Sequence, residues 1–223
     1  MDALSVPVAS IVYFVSTPDI IKPLYPSLVW DMLAKNKVVY LTFDDGPTPG
    51  VTDKVFALLE EFQAKATFFL IGKNVETHPE YLNRYKEYGH TIGNHSFHHR
   101  NGWNATTENY TADVEKASKL IDSKLFRPPY GKITRAQIKK LKSEFTIVMW
   151  DVLSGDFDPK VNSESCYKNV VDNVVPGSII VFHDSVKASN PMLEALPKIL
   201  SELDSRGFRF EALPQQINSP LNS

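Results

Sequence analysis

Short apolar runs alternate with helical patterns along most of this chain. VVYLTF (38–43) is a continuous apolar run typical of a strand buried on both faces, and apolar residues recur at helical spacing in VTDKVFALLEEF (51–62). The same pattern predicts seven strands, at 38–43, 66–71, 90–95, 125–131, 145–150, 178–183 and 208–213. It predicts helices between most of them, at 51–62, 79–89, 107–122, 133–141, 163–174 and 190–203.

This alternation predicts an α/β fold in which helices cover a parallel sheet. No GxGxxG fingerprint of dinucleotide binding is present, which favours a closed or nearly closed (β/α) barrel of about seven parallel strands. We expect a single domain over residues 1–223, whose motif-bearing core lies at about 38–213. In such barrels the chemistry collects at the C-terminal ends of the strands.

The N-terminal stretch VPVASIVYFV (6–15) is apolar, but no positively charged region precedes it. A first strand is therefore favoured over a signal peptide, although a degenerate signal peptide remains an alternative. Without a clear export signal the compartment stays open, with the cytoplasm slightly favoured. No run approaches the roughly 18 apolar residues that span a bilayer.

Composition removes several classes of function. The formal net charge is −2 and no long basic run occurs, which argues against nucleic acid as the main partner. The single cysteine, Cys166, excludes an intrachain disulfide, so packing must hold the fold together. We expect the protein to be a monomer.

Ionisable residues follow nearly every predicted strand. Because parallel strands end at the same edge of a sheet, we expect these side chains to converge on one face. They are Asp44 and Asp45, then His95, His98 and His99, then Arg127, then Asp151 and Asp156, and finally His183 and Asp184.

Adjacent carboxylates such as Asp44 and Asp45 repel each other when buried, unless a cation offsets their charge. His95 and His99 are four residues apart, so their imidazoles would share one face if the segment were helical. Two histidines and one carboxylate are a common zinc set, and Asp45, His95 and His99 can form one. The alternative is a surface turn followed by a polar loop with unrelated histidines.

The remaining residues suit acid–base chemistry around such a metal. Asp44 is free to take a proton from metal-bound water, and Arg127 would keep that carboxylate ionised and oriented. His183, at the end of an apolar strand, suits a general acid. The alternatives are a structural salt bridge for Arg127 and a satisfied core position for His183.

Five motifs, taken in order, carry a resemblance to a known family. They are TFDDGP (42–47), HSFHH (95–99), RPPYG (127–131), WDVLSGDF (150–157) and VFH (181–183). Together they resemble the motifs of the polysaccharide deacetylases, the NodB-homology domain of carbohydrate esterase family four. The resemblance spans about 38–210. It implies a distorted (β/α) barrel of seven or eight units, in agreement with the strand count.

The resemblance also implies roles for single residues, by position. Asp44 matches the catalytic base, Arg127 the residue that supports it, and His183 the general acid. Asp45, His95 and His99 match a metal triad that usually holds Zn²⁺, with another divalent transition metal such as Co²⁺ as an alternative. The backbone N–H of Tyr130 matches a donor to the tetrahedral oxyanion. The implied reaction is hydrolysis of the N-acetyl group of an amino sugar in an N-acetylglucosamine-type glycan.

The fourth motif departs from the family pattern, which is close to DSxDW. Leu153 replaces an aspartate and Phe157 replaces the tryptophan that helps line the sugar groove. Asp156 is the stronger candidate for tuning His183, and Asp151 the weaker. Pro128, Tyr130 and Phe157 are candidate substrate-binding residues. Trp103 is another, with a buried loop anchor as its alternative.

Three functions are compatible with these residues. The first is metal-dependent N-deacetylation of a carbohydrate such as peptidoglycan or a chitin-like oligosaccharide. The second keeps the site but changes the substrate, to an O-acetyl ester or a small-molecule amide. The third is a non-catalytic carbohydrate-binding protein, which is disfavoured because every predicted catalytic position is occupied by the required residue.

Overall fold

The computed structural model describes residues 13–33 and 36–217. In these ranges the strands are β1 Leu28–Val29, β2 Val38–Asp44, β3 Ala66–Leu70, β4 Thr91–Asn94, β5 Leu125–Phe126, β6 Thr146–Val148, β7 Val152–Leu153, β8 Ile179–His183 and β9 Arg209–Phe210. The α-helices are α1 Val51–Glu61, α2 Gly72–Thr77, α3 Tyr81–Glu87, α4 Thr107–Ser118, α5 Arg135–Leu141, α6 Ser163–Val171 and α7 Ser189–Ser205.

The strands form one parallel sheet in the order β1-β6-β5-β4-β3-β2-β8-β7, and β9 pairs with β2. This arrangement confirms the predicted α/β barrel. Each of the seven predicted strands from residue 38 onward has a counterpart, and β1 and β7, of two residues each, are additional. The strand predicted at 6–15 lies mostly outside the described residues, and its described part, 13–15, is not a strand.

The central strand β2 positions the functional residues. All seven of its residues are buried, and Phe43 stacks between Phe68 at 5.0 Å and Phe182 at 5.4 Å. The parallel register of β2 and β8 pairs Asp44 with His183. A one-residue slip would turn every side chain to the opposite face, so this buried register fixes the two residues side by side.

The predicted helices are confirmed within a few residues, but α2 was not expected. Gly72, directly after the strand predicted at 66–71, begins this helix. A Cβ at Gly72 would lie 2.7 Å from the ring of Phe97, so glycine permits close packing against the loop at 95–99, called here the histidine loop. No helix in the described ranges is both long enough and apolar enough to cross a membrane.

Residues 13–33 run across the opening between the two ends of the sheet. At one end β1 pairs with β6, and at the other Ser16 forms an antiparallel bridge with Val152 of β7. Between these points Lys22 donates to Asp31 at 2.7 Å and to Asp151 at 2.9 Å. This segment therefore joins the ends of the sheet.

Candidate active site

The ends of β2 and β4 bring together the three predicted metal ligands. Asp45 follows β2 and His95 follows β4, while His99 returns on the loop after His95. One ligand atom from each residue lies within 4.8 Å of the others. His99 Nε2 is 3.2 Å and His95 Nε2 is 3.8 Å from Asp45 Oδ1.

The chemistry of these atoms fits a divalent cation. Asp45 Oδ1 is buried, yet no donor among the described residues is aligned to form a hydrogen bond with it. Burial would raise the pKa of Asp45, but the neighbouring His99, His183 and His95 outweigh burial and hold that pKa well below its usual range. A carboxylate oxygen that faces two imidazole nitrogens is typical of a zinc or related metal site.

His95 is prepared to bind through Nε2. Its Nδ1 donates to the carbonyl oxygen of Arg127 at 2.8 Å, which fixes the hydrogen on Nδ1 and leaves Nε2 free. Burial lowers the pKa of His95 to about 4, so the imidazole is neutral at pH 7, the form that ligates metals.

The histidine loop is not helical, so the helical geometry considered for HSFHH is wrong. Ser96 has φ 62° and His99 has φ 53°, left-handed conformations that non-glycine residues adopt at some cost. Asp113 of α4 offsets this cost. Its Oδ2 accepts from the backbone N–H groups of Phe97 and His98, and its Oδ1 meets His98 Nδ1.

Replacing Asp113 by alanine should weaken zinc binding, because the loop that carries His99 would lose its anchor. Partners of metal ligands commonly change metal affinity by about 10- to 100-fold, and we expect the lower end of that range. Competition with a chromogenic chelator measures the affinity. The matched control is Glu115→Ala, an exposed position on the same helix. Equal zinc affinity in Asp113→Ala and wild type would contradict this role.

Asp44 and Arg127 form a buried pair beside the metal ligands. Arg127 is fully buried, and its Nη1 donates to Asp44 Oδ1 at 2.7 Å. Nη1 also reaches Thr42 Oγ1, and Nη2 donates to the carbonyl oxygen of Met149. The other carboxylate oxygen, Asp44 Oδ2, faces His95 Nε2 at 4.0 Å. One oxygen is thus held in place while the other points toward the metal ligands.

His183 is held by Asp156, as the sequence suggested. The backbone N–H of His183 donates to Asp156 Oδ2 at 2.7 Å, and Nδ1 donates to Oδ1 at 2.8 Å. Burial would lower the pKa of His183, but Asp156, with Asp45 and Asp44, outweighs burial and raises that pKa to about 9. His183 is therefore protonated at neutral pH.

Asp151, the weaker candidate for tuning His183, forms hydrogen bonds with other residues. Its carboxylate accepts from Lys22 and, at 2.6 Å, from Ser178 Oγ. It therefore fastens the N-terminal segment to the sheet.

The candidate substrate-binding residues differ in exposure and in whether they contact His99 or His183. Tyr130, after Pro128, has φ 60°, is 60% exposed, and its hydroxyl lies 3.1 Å from His99 Nδ1. Phe157 packs edge-on against His183 at 5.2 Å. Trp103 is 65% exposed, so it is not the buried anchor considered as an alternative. Its ring lies 5.2 Å from the Lys132 ammonium.

Sequence reasoning assigned no role to three residues that shape the site. Thr42, inside the TFDDGP motif, supports Arg127, and Asp113 looked like an ordinary polar helix residue. Asp184, noticed only as a strand-end carboxylate, is buried against the turn after Asp45, where a Cβ on Gly46 would lie 2.4 Å from its Oδ2. Thr52 donates to the same oxygen at 2.6 Å. The spacing of the motifs contains no signal for these contacts.

Sequence comparison identifies a family and curated relatives that match this chain. The family model described as "Polysaccharide deacetylase" matches residues 32–145, just over half of the chain. A peptidoglycan-N-acetylglucosamine deacetylase of Bacillus cereus is 35% identical over 208 residues, which covers 88% of this chain and 96% of that protein.

Two solved structures extend the likeness to the fold. A peptidoglycan N-acetylglucosamine deacetylase in complex with 4-naphthalen-1-yl-N-oxidanyl-benzamide matches with a TM-score of 0.82 and 32% identity, covering 89% of this chain and 95% of that one. A family 4 acetyl xylan esterase from Clostridium thermocellum, in complex with a cobalt ion, matches with a TM-score of 0.73 and 30% identity. That match covers 79% of this chain and 88% of the esterase.

Proposed function

Because this chain belongs to the polysaccharide deacetylase family, we propose that it removes N-acetyl groups from the amino sugars of an N-acetylglucosamine-type glycan, such as peptidoglycan or a chitin-like oligosaccharide. The observation that carries the proposal is the juxtaposition of Asp44, the metal ligands and His183 at the C-terminal ends of β2, β4 and β8 in the same sheet. The reaction splits a carbon–nitrogen bond with water and yields acetate and a free amine.

Asp44 is the proposed base. Its Oδ1 is held by Arg127, and its Oδ2 faces the space in front of His95, where the attacking water would lose its proton. The positive charge of Arg127 makes this a charge-assisted hydrogen bond, which holds the carboxylate in one orientation. The fixed orientation of the carboxylate limits the reorganisation needed as the proton moves.

Asp45, His95 and His99 would hold the metal, which we propose to be Zn²⁺, with Co²⁺ as the alternative. When bound, such a cation polarises an acyl oxygen and lowers the pKa of a bound water. The backbone N–H of Tyr130, in its left-handed turn, is the proposed second donor to the developing oxyanion. Both arrangements stabilise charge that is present only as the tetrahedral carbon forms.

His183 is the proposed acid. With Nδ1 committed to Asp156, the proton on Nε2 is the one available to the departing amine. Asp156 supplies the charge that keeps this proton in place at neutral pH.

Asp156→Asn should move the alkaline limb of the pH profile to lower pH. In wild type we expect activity to be retained below the His183 pKa of about 9 and to be lost as His183 deprotonates above it. Asparagine keeps an oxygen for the backbone bond but removes the charge, so burial then dominates and lowers the pKa of His183. We expect a shift of about one to two pH units in kcat/KM. Asp172→Asn, at an exposed aspartate, is the control. If the alkaline limb of kcat/KM lies at the same pH in Asp156→Asn and in wild type, the ionisation of His183 does not determine that limb.

Acetate release from N-acetylglucosamine oligomers and from peptidoglycan tests the proposed function. The zinc-loaded full chain should release acetate from at least one of them, and the amine should appear in equal amount. An O-acetylated xylan measured in parallel tests the ester alternative, which the likeness to an acetyl xylan esterase favours. Release from the ester alone would replace the amide assignment, and no release from any substrate would overturn the enzymatic proposal.

A further inference from the structure

The first described residues pair with the divergent fourth motif. Leu153 N–H donates to the carbonyl oxygen of Val15 at 2.7 Å, and Ser16 lies opposite Val152 in an antiparallel bridge. Continuing this register outward places Tyr13 beside Gly155, two residues before Phe157. The N-terminal segment therefore delivers an aromatic side chain to the acid side of the active site.

The side-chain contacts agree with this register. A Cβ on Gly155 would lie 2.9 Å from the Tyr13 hydroxyl, so only glycine leaves room for the ring in this position. Tyr13 packs on Phe157 with 5.1 Å between ring centroids, and Phe157 packs on His183 at 5.2 Å. Three rings thus run in a row from the N-terminal segment to the catalytic acid.

The Asp158 carboxylate lies near the hydroxyl of Tyr13. Burial and this neighbouring carboxylate raise the pKa of Tyr13. The rings of Tyr13 and Phe157 are both partly exposed, and the next residue, Phe14, is 63% exposed. Tyr13 is therefore packed against Phe157 and still reaches solvent.

Fixed, partly exposed aromatic rings beside a reaction centre suit the apolar face of a sugar. Phe157 presents an aromatic ring beside His183, and Tyr13 enlarges that aromatic surface. Tyrosine loses little conformational entropy on binding, and its polar tip can remain bonded while its ring covers an apolar surface.

We propose that Tyr13 is a specificity-determining residue, which with Phe157 forms an aromatic platform for the pyranose ring next to the sugar being deacetylated. This inference rests on the proposed function, because it takes the ligand to be an N-acetylglucosamine-type oligosaccharide. The platform supplies affinity for the chain of sugars, whereas the metal ligands, Asp44 and His183 supply the chemistry.

Binding can be measured without turnover in the zinc-loaded Asp44→Asn chain, by calorimetry with the N-acetylglucosamine tetramer. Adding Tyr13→Ala should weaken binding about tenfold, the loss expected for part of an aromatic contact area. Tyr13→Phe should bind within about twofold, and Phe14→Ala should match the parent, since only the ring of Tyr13 faces the platform. Equal affinity in Tyr13→Ala, equal losses in Tyr13→Ala and Tyr13→Phe, or no binding by the parent would each overturn the platform.

Steady-state kinetics in the otherwise wild-type chain separates binding from positioning. A platform predicts that Tyr13→Ala raises KM for the tetramer about tenfold while kcat changes by less than about threefold. A fall in kcat with unchanged KM would instead indicate that Tyr13 positions His183 and does not bind the glycan, and would overturn the platform. If wild type releases no acetate, the proposed function fails, but the calorimetry still decides whether Tyr13 binds the glycan.

Discussion

Asp44→Asn should lower kcat/KM for acetate release by about a thousandfold, within the range that a positioned general base contributes. Asparagine has nearly the same shape and can still accept the hydrogen bond from Arg127 Nη1, which holds Asp44 Oδ1 at 2.7 Å in wild type. Asparagine cannot act as the base, because it has no counterpart of Asp44 Oδ2, the carboxylate oxygen that faces the metal ligands. The loss should therefore fall on kcat, since Asp44 is the proposed base and the proposed metal ligands are other residues.

Three measurements make this result specific. Zinc content per chain and Tm should show that the variant is folded and loaded, and kcat and KM should be determined separately on the same glycan. Asp122→Asn, at an exposed aspartate, should behave as wild type. Undiminished kcat in a folded, zinc-loaded Asp44→Asn would remove Asp44 from the role of base and would require another group to take the proton.

Metal removal should abolish acetate release and also lower Tm, and zinc should restore both. A ligand that binds only the folded state stabilises it by about 2.7 kcal/mol at a hundred times its dissociation constant. For a chain of this size each kcal/mol corresponds to about 2–4 °C, so a shift of about 5–10 °C is expected. The structural reason to expect metal stabilisation is the Asp45 oxygen Oδ1, which has no hydrogen-bond partner among the described residues and lies near two imidazoles. Differential scanning fluorimetry with a chelator and with added zinc measures the shift.

Histidine variants assign this effect to the site. His99→Gln should lose both the Tm response to zinc and the activity, because it removes a ligand of the triad. His78→Gln, on a partly exposed histidine paired with Glu80, should keep both. If a chelator leaves Tm unchanged in protein shown by elemental analysis to start with metal, that result would contradict the predicted stabilisation of the fold by the metal.

The barrel and the gathering of ionisable residues could be predicted because both follow from local periodicity. Strands such as β2 and β8 are continuous apolar runs, and in a parallel sheet their ends must lie together. That geometry alone places Asp44, Asp45 and His183 at one edge. The motifs then added the identity of the chemistry, which periodicity does not contain.

The histidine loop could not be predicted in the same way. Its left-handed residues, Ser96 and His99, flank Phe97 and His98, whose backbone N–H groups donate to Asp113 of a helix that begins at Thr107. An acidic residue in a helix ordinarily reads as a solvent-facing one, and nothing local marks this one as buried. Tyr13 was hidden for a similar reason, because its ring partner Phe157 is far away in the chain and the strand that pairs with the segment, β7, has only two residues.

The segment at residues 13–33 also bears on the order in which this molecule assembles. Lys22 and its partner Asp151 are 129 residues apart, and the other contacts of the segment reach β6, β7 and the start of β8. The entropy of closing so long a loop must be overcome before these contacts stabilise anything, so they form after the local strand–helix units. During synthesis the first part of the chain must wait for partners made much later. In the native protein its backbone amides should exchange with solvent at a lower opening free energy than those of the central strands.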